Sequence, residues 1–406
     1  MLFAVLIGLV SALVWLLRGW FLKIRFFFGS GKKQVPQENV RQFVIFSDDK
    51  RYWSVFRPVC REFDRRGIDV FYLTASPDDP ALENGFEHIH AEFIGKGNRA
   101  FAKLNFLKAD IVVSTTPGLD VYQWKRSKDV RCYVHMLHAA AEVAGYRMFG
   151  IDYYDALLLS GEYQIRDTRA LEKLRSLPEK ELVLVGIPYM DDMLQRLNSS
   201  RSQTADLQAN KQRTILLAPS WGESAIFSRY GEKIFDALLQ TGYHIIVRPH
   251  PQSFTSEKEL VDRLMAEYPE SEQLEWNRDN DNFDALNRAD LLISDFSGVI
   301  FDFTLVYDKP VIYADTQFDK SPYDAWWLDT PYWTFTALPR IGEKLTPDTL
   351  PDLQNMIEAC LTDEKYASGR DEVRRETWVY PGEGAKRAVD WLVEKQRSLT
   401  AETRED

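Results

Sequence analysis

The chain has 406 residues, a length that suits two domains better than one core. It is 45% hydrophobic and 27% charged, within the range of a folded globular protein, and its net charge of −11 argues against a general nucleic-acid binder. Cys60, Cys132 and Cys360 lie too far apart for a metal-binding spacing, which points to a reducing compartment.

The N-terminus stands apart. Residues 2–17, LFAVLIGLVSALVWLL, carry no charge, and Arg18, Lys23, Arg25, Lys32 and Lys33 follow, with Trp20 and phenylalanines among them. The run is slightly short of the about 20 residues of a membrane span, but its aromatic flank extends it. A cleaved signal peptide has its charges before the apolar run, not after it. Residues 1–33 are therefore expected to form a single hydrophobic anchor helix, either spanning the membrane or lying in its face. The basic flank should stay in the cytoplasm, so the body of the protein is expected on the cytoplasmic face of the cell membrane.

Residues 34–42 read as a linker, and strands and helices then alternate. QFVIFS (42–47), IDVFYL (68–73), ADIVVST (109–115), RCYVHML (131–137), DALLLS (155–160) and ELVLVG (181–186) read as strands, with helices at 53–66 and 163–175. The polar stretch Asn198 to Gln212 reads as an interdomain linker. Alternation then resumes with TILLAPS (214–220), HIIVRP (244–249), a short strand near 273–276, LLISD (291–295) and PVIYAD (310–315). Helices are expected between them at 229–241, 255–267, 282–288 and 297–306. This rhythm predicts two Rossmann-like, doubly wound parallel sheets facing a cleft, with domains at 34–205 and 206–380 and a C-terminal helix and tail at 381–406.

Two segments of the second half carry most of the chemistry. HIIVRPHPQ (244–252) and LLISDFSGVIFDF (291–303) each begin as a buried strand and end in residues suited to an anion. Ligands of open α/β sheets bind at such carboxyl ends. Arg248 suits bidentate phosphate contact, and His250 is held between two prolines. Ser297 is expected to cap a helix starting at Gly298, whose exposed amides would face a phosphate while Gly298 allows close approach. Asp295 should not touch an anion; it is expected to orient Arg248 or His250, or to bind a ribose hydroxyl. Asp302 reads as structural. Together these loops suggest a nucleotide or pyrophosphate ligand. There is no G-x-G-x-x-G or Walker A loop. Asp279-Asn280-Asp281 has the form of a metal-binding D-x-D, but it precedes a helix in the wrong β/α order and reads as an N-cap, so no metal is assigned.

Two Rossmann-like halves with nucleotide loops in the second is the layout of GT-B glycosyltransferases. RPHP (248–251), SDFSGVIFDF (294–303) and KPVIYAD (309–315) resemble the CDP-glycerol glycerophosphotransferase family, which includes teichoic acid primases and polymerases. ILLAPSW (215–221) is similar to that family's ILYAPTW, VGIPYMDDML (185–194) to its TGxPRxD with Tyr189 in place of Arg, and PGEGAKRAVDWL (381–392) to its DGxxxxRIVDLI helix. The family's WHGTPLK segment falls on YVHMLHAAAE. His138 matches the family histidine, Leu137 replaces Trp, Ala139 and Ala140 replace Gly and Thr, and the Lys is missing.

The resemblance implies a GT-B fold, a CDP-activated polyol phosphate donor such as CDP-glycerol, release of CMP, and no cofactor. It implies transfer of glycerol phosphate to a membrane-linked acceptor, a lipid-linked glycan, in cell-surface polymer synthesis. His138 is then the expected base, with Glu142 as its partner or stand-in and His135 a weaker candidate. His250 becomes a donor to the pyrophosphate or a general acid on CMP. A nucleotide-sugar glycosyltransferase and a non-catalytic nucleotide-binding membrane subunit are the alternatives on the same scaffold.

Overall fold

A computed structural model describes residues 40–204, 212–279, 281–314 and 319–405. The expected anchor at 1–33 lies outside the described residues. Among the described residues, no helix is long and apolar enough to cross a membrane. All that follows belongs to the compact unit Arg41–Asp406.

Seven parallel strands form the first sheet: β1 (Arg41–Ser47), β2 (Val70–Thr74), β3 (Ile89–Phe93), β4 (Ala109–Ser114), β5 (Val130–Met136), β6 (Ala156–Leu159) and β7 (Glu181–Leu184). Their order is β3-β2-β1-β4-β5-β6-β7. The second sheet has β8 (Thr214–Leu217), β9 (His244–Val247), β10 (Leu274–Trp276), β11 (Leu291–Ser294), β12 (Val311–Ala314) and β13 (Gly342–Leu345), in the order β10-β9-β8-β11-β12-β13. All pairs are parallel; Val44 faces Val112 in the first sheet, and Leu292 faces Val311 in the second. Every residue of β4, β8, β11 and β12 is buried, as expected of strands covered on both faces, and this is why they read as continuous apolar runs. Sequence reading misses β3 (IHAEF) and β13 (GEKL). Both are edge strands, and neither has an apolar run to mark it.

Strand order reverses between β1 and β4 and between β8 and β11. A crevice for ligands forms at such switch points. The loops after β1, β4, β8 and β11 therefore converge between the domains, with those after β5 and β9 beside them.

Two helices pack against each other beside the first sheet. α1 (Trp53–Arg65) covers the first sheet, and α2 (Pro188–Thr204) leads toward the second. The expected linker begins too early at Asn198, because α2 continues to Thr204. The hydroxyls of Ser199 and Ser200 donate back to the carbonyls of Gln195 and Leu197, and buried Leu197 anchors that turn. Polar residues that read as linker are thus absorbed into a helix. The C-terminal helix, Gly384–Glu405, returns to the first domain, where Arg66 pairs with Asp390 at 2.8 Å and Gln396 donates to Asp110 at 2.9 Å.

The VGIPYMDD and PGEG segments meet at this return. Asp191 accepts from Gly382 N (2.6 Å), Gly384 N (2.8 Å) and Trp378 Nε1 (2.9 Å). Gly186 has φ +94°, and a Cβ there would run into the Val379 carbonyl. Asp191 and the PGEG turn thus form a structural clasp, while Tyr189 and Asp192 of the first segment line the cleft between the two sheets. Lys309 of KPVIYAD is structural too, since its Nζ donates to the carbonyls of Leu286, Asn287 and Ala289.

Candidate active site

A cleft of about 280 Å³ opens between the carboxyl ends of the two sheets. His138, Arg248, His250, Ser297 and Gly298 all line it. Residues spread over 161 positions of sequence (138 to 298) are thus brought to one place.

The second domain's wall follows directly from its strand ends. Arg248 N still donates to Leu217 O at 2.8 Å, and Pro249 and Pro251 then end the ladder because they lack N–H groups. His250 Nδ1 accepts from Gln252 N at 3.1 Å, which assigns the ring proton to Nε2. Burial first, then the charges of Arg51, His138 and Arg248, pull its pKa down to about 4. His250 is therefore a neutral hydrogen-bond donor at neutral pH. Arg248 is steadied by Asn277 Oδ1 and by Asp279 O, the latter at 2.8 Å, and burial lowers its pKa from the ordinary value. Asp281 accepts from Phe283 N at 2.9 Å, but the N-cap position of the helix Phe283–Arg288 is Asn282, which makes no side-chain cap, so the expected N-cap is one residue off. Among the described residues, no group of three His, Cys, Asp or Glu could hold a metal ion.

Two expectations for the SDFSG turn need correction. Asp295 does not face the ligand. It is fully buried, and its carboxylate accepts from Ser220 N (2.9 Å), Phe296 N (2.7 Å) and Ile226 N (3.1 Å), holding the loop after β8 against the end of β11. Its acceptor capacity is spent on backbone amides, so it neither orients Arg248 or His250 nor reaches a ribose. Ser297 does not cap a helix through its side chain; the α-helical turn α3 is only Val299–Phe301, preceded by Gly298, and no side-chain cap is present. Gly298 faces the other domain, where a Cβ would stand 3.3 Å from Ala139 Cβ.

The helix expected over 297–306 changes character after α3, because Asp302–Val306 is π-helical. Such widened turns commonly occur at functional sites. Asp302, which reads as structural in the sequence, lines the cleft, and its Oδ1 accepts from Tyr189 Oη at 2.5 Å. Burial raises its pKa to about 6, opposed by the hydrogen bonds from Tyr189 and Asn282. Tyr189, the residue that stands where the family pattern has Arg, is thus a neutral donor to this carboxyl.

The first domain's wall is built around His138, two residues past β5. Thr115 Oγ1 lies 2.8 Å from His138 Nδ1, and Tyr146 Oη lies 3.4 Å from the same nitrogen. When Nδ1–H donates to Thr115, Nε2 is left as the basic nitrogen. The ring packs against Tyr52 at a centroid distance of 5.1 Å. Burial and the Arg51 charge lower the His138 pKa to about 4, so it is deprotonated at neutral pH. The other two candidates do not line the cleft. His135 is fully buried on β5 and bonds Tyr146 Oη at 2.9 Å. Glu142 bonds Thr334 N and Oγ1 at 3.2 and 2.7 Å, tying the loop after β5 to the helix α4 (Trp333–Ile341); burial raises its pKa to about 7. It is an interdomain tie, not a partner of His138.

Sequence reading also misses Arg51, Tyr52, Arg57 and Arg196, all of which line the cleft. Arg51 and Tyr52 follow β1 at the switch point, and strand-end position was the available signal. Arg57 and Arg196 lie within helices, where nothing local distinguishes them from surface charges. Arg57 pairs with Asp192, and Arg196 pairs with Asp281 at 2.8 Å.

Known proteins share this two-domain fold. The family model for CDP-glycerol:poly(glycerophosphate) glycerophosphotransferase matches residues 151–337, which include the whole of the second domain's wall. The structure of the wall teichoic acid polymerase TagF is similar at a TM-score of 0.59, with 17% identity over 89% of this chain and 91% of that one. A TagF variant solved with CDPG gives a TM-score of 0.56 and 16% identity over 90% and 91% of the two chains. The Methanocaldococcus jannaschii UDP-GlcNAc 2-epimerase, in complex with UDP-GlcNAc and UDP, gives 0.56 and 16% over 87% and 99%. Identities this low show a shared fold of two parallel α/β domains. No curated protein matches the sequence.

Proposed function

We propose that this CDP-glycerol glycerophosphotransferase-like enzyme moves glycerol phosphate, or a related polyol phosphate, from a CDP-activated donor to a membrane-linked acceptor and releases CMP. The observation that carries the reading is the convergence of His138 with the RPHP and SDFSG loops on one cleft.

In this reading the donor's pyrophosphate sits against Arg248, His250 Nε2–H and the turn at Ser297–Gly298. The acceptor hydroxyl attacks the β-phosphorus while His138 Nε2 takes its proton. The new P–O bond forms as the bond from the β-phosphorus to the CMP oxygen breaks, and its electron pair leaves on CMP. Hydrogen bonds and charges fixed in advance by the fold stabilise the charge that builds during this step. His250 is neutral before the donor arrives. A bound pyrophosphate favours its charged form, so it is poised to protonate or hydrogen-bond the departing CMP.

The membrane placement rests on the sequence of residues 2–17 and the basic flank that follows. With the body on the cytoplasmic face, the cleft would meet a soluble donor and a lipid-linked acceptor. A donor panel tests the function. The full chain is incubated with a lipid-linked glycan acceptor and CDP-glycerol, CDP-ribitol or a UDP-sugar, and nucleotide release is followed. CMP release with a CDP-polyol alone is the expected result. Release of UDP from a UDP-sugar instead would move the assignment to a glycosyltransferase, and binding without any release would move it to a nucleotide-binding subunit.

A further inference from the structure

Arg51 is a cleft residue that the transfer scheme leaves without a task. It sits in the 3-10 turn Lys50–Tyr52 after β1, held by Asp49, whose Oδ1 caps Arg51 N at 3.0 Å and lies 3.4 Å from Arg51 Nε. That Nε is buried and makes no hydrogen bond. The side chain as a whole retains 30% of its exposure, and it lines the cleft with His138 and His250. A guanidinium presented to a cleft by a fixed turn, with hydrogen-bonding capacity left over, is suited to an anion. The departures of this chain from the family pattern also matter. The Lys expected after His138 is missing, and Tyr189 replaces an Arg, so the first domain's wall lacks two cations at those positions.

We propose that Arg51 closes the donor site from the first domain's side, pairing with the pyrophosphate while His138 beside it takes the acceptor's proton. The inference rests on the transferase reading for the identity of the donor.

One consequence is that donor binding changes His138. The groups facing His138 are Arg51 and Tyr52 from the turn after β1, Thr115 after β4, His135 and Tyr146 from β5 and the loop beyond it, and His250 from the second domain. Arg51 is the permanent cation among them, and it disfavours a proton on His138. A bound pyrophosphate cancels that charge. The base then becomes stronger when the donor is seated and stays weak in the empty cleft.

The test uses the full chain and CDP-glycerol without acceptor, because the diester pyrophosphate has no group titrating near neutrality. Affinity is measured by calorimetry for the wild type, Arg51→Gln and Arg51→Lys. The histidine titrations are followed by NMR, with His138→Gln assigning the signal. Arg51→Gln should bind CDP-glycerol about tenfold more weakly, the loss expected for one charge-assisted hydrogen bond, and Arg51→Lys should recover part of it. In the empty protein, Arg51→Gln should raise the His138 pKa. In the wild type, CDP-glycerol should raise it, and in Arg51→Gln by less. A purely structural role for Arg51 would weaken binding without moving the His138 titration, and that outcome overturns the proposal, as does unchanged affinity. Failure of the transferase reading looks different: CDP-glycerol binds and shifts His138 as stated, yet no acceptor receives phosphate. Absence of CDP-glycerol binding by the wild type overturns both.

Discussion

The two walls of the cleft are built in different ways. The second domain's wall is made of short loops immediately following β9 and β11, with prolines and a glycine shaping the backbone and Asp295 fixed behind it. The first domain's wall is made of side chains from separate parts of the chain: Arg51 after β1, His138 after β5, and Tyr189 and Arg196 from α2. The first kind of wall suits a constant ligand feature such as a pyrophosphate. The second suits a variable one, because single side chains can change without disturbing a loop. The replacement of Arg by Tyr189, and of the residues flanking His138, falls on the variable wall. We therefore expect the second domain to supply most donor contacts, with Arg51 as the first domain's contribution to them, and the first domain to govern the chemical step.

The largest expected effect separates these tasks. His138→Ala should slow transfer by about 10²–10⁴-fold and leave CDP-glycerol affinity nearly unchanged, since a general base acts in the transition state. Steady-state turnover and calorimetric affinity, measured on the same preparation, check it. Equal turnover by wild type and variant would make His138 structural.

His250→Ala should act the other way, weakening CDP-glycerol binding about tenfold. The pH dependence sharpens the comparison. The His250 pKa is about 4 in the empty cleft, below the ordinary value, and a bound anion raises it. The bound state therefore holds more protons, and wild-type affinity should rise as the pH falls from about 6.5 toward 5. Titrations at several pH values should show that rise, and it should shrink in His250→Ala. A flat profile in the wild type would mean that His250 does not meet the pyrophosphate.

The last effect concerns the contact between the walls and falls on stability, not on the donor. Tyr189→Phe leaves Asp302 Oδ1 without the Tyr189 hydroxyl, at a cost of about 1–3 kcal/mol for an unsatisfied buried group. Urea unfolding should register that loss, with CDP-glycerol affinity changed little. Unaltered stability would mean that Asn282 or water satisfies the carboxyl alone.

Legibility in the sequence follows the same division. The two parallel sheets were readable because buried parallel strands leave apolar runs; β3 and β13 escaped because edge strands do not. His138, Arg248, His250, Ser297 and Gly298 were found because they stand at or just past strand ends. Asp295 was misassigned because its strand-end position is the same as theirs, and only the fold shows that its oxygens face backbone amides. Asp302 was passed over because an α-helical spacing does not foresee a π-helical turn. Arg57 and Arg196 carry no local signal at all; only the packing of α1 and α2 makes them part of a site.

The most direct measurement of the account is a crystal structure of the His138→Ala protein with CDP-glycerol, in which the donor is held without being consumed. The account predicts a pyrophosphate within hydrogen-bond distance of His250 Nε2 and Arg248, seated over the Ser297–Gly298 turn, with its β-phosphorus facing the position vacated by the imidazole. A donor bound elsewhere, or bound with its pyrophosphate turned away from both loops, would contradict it.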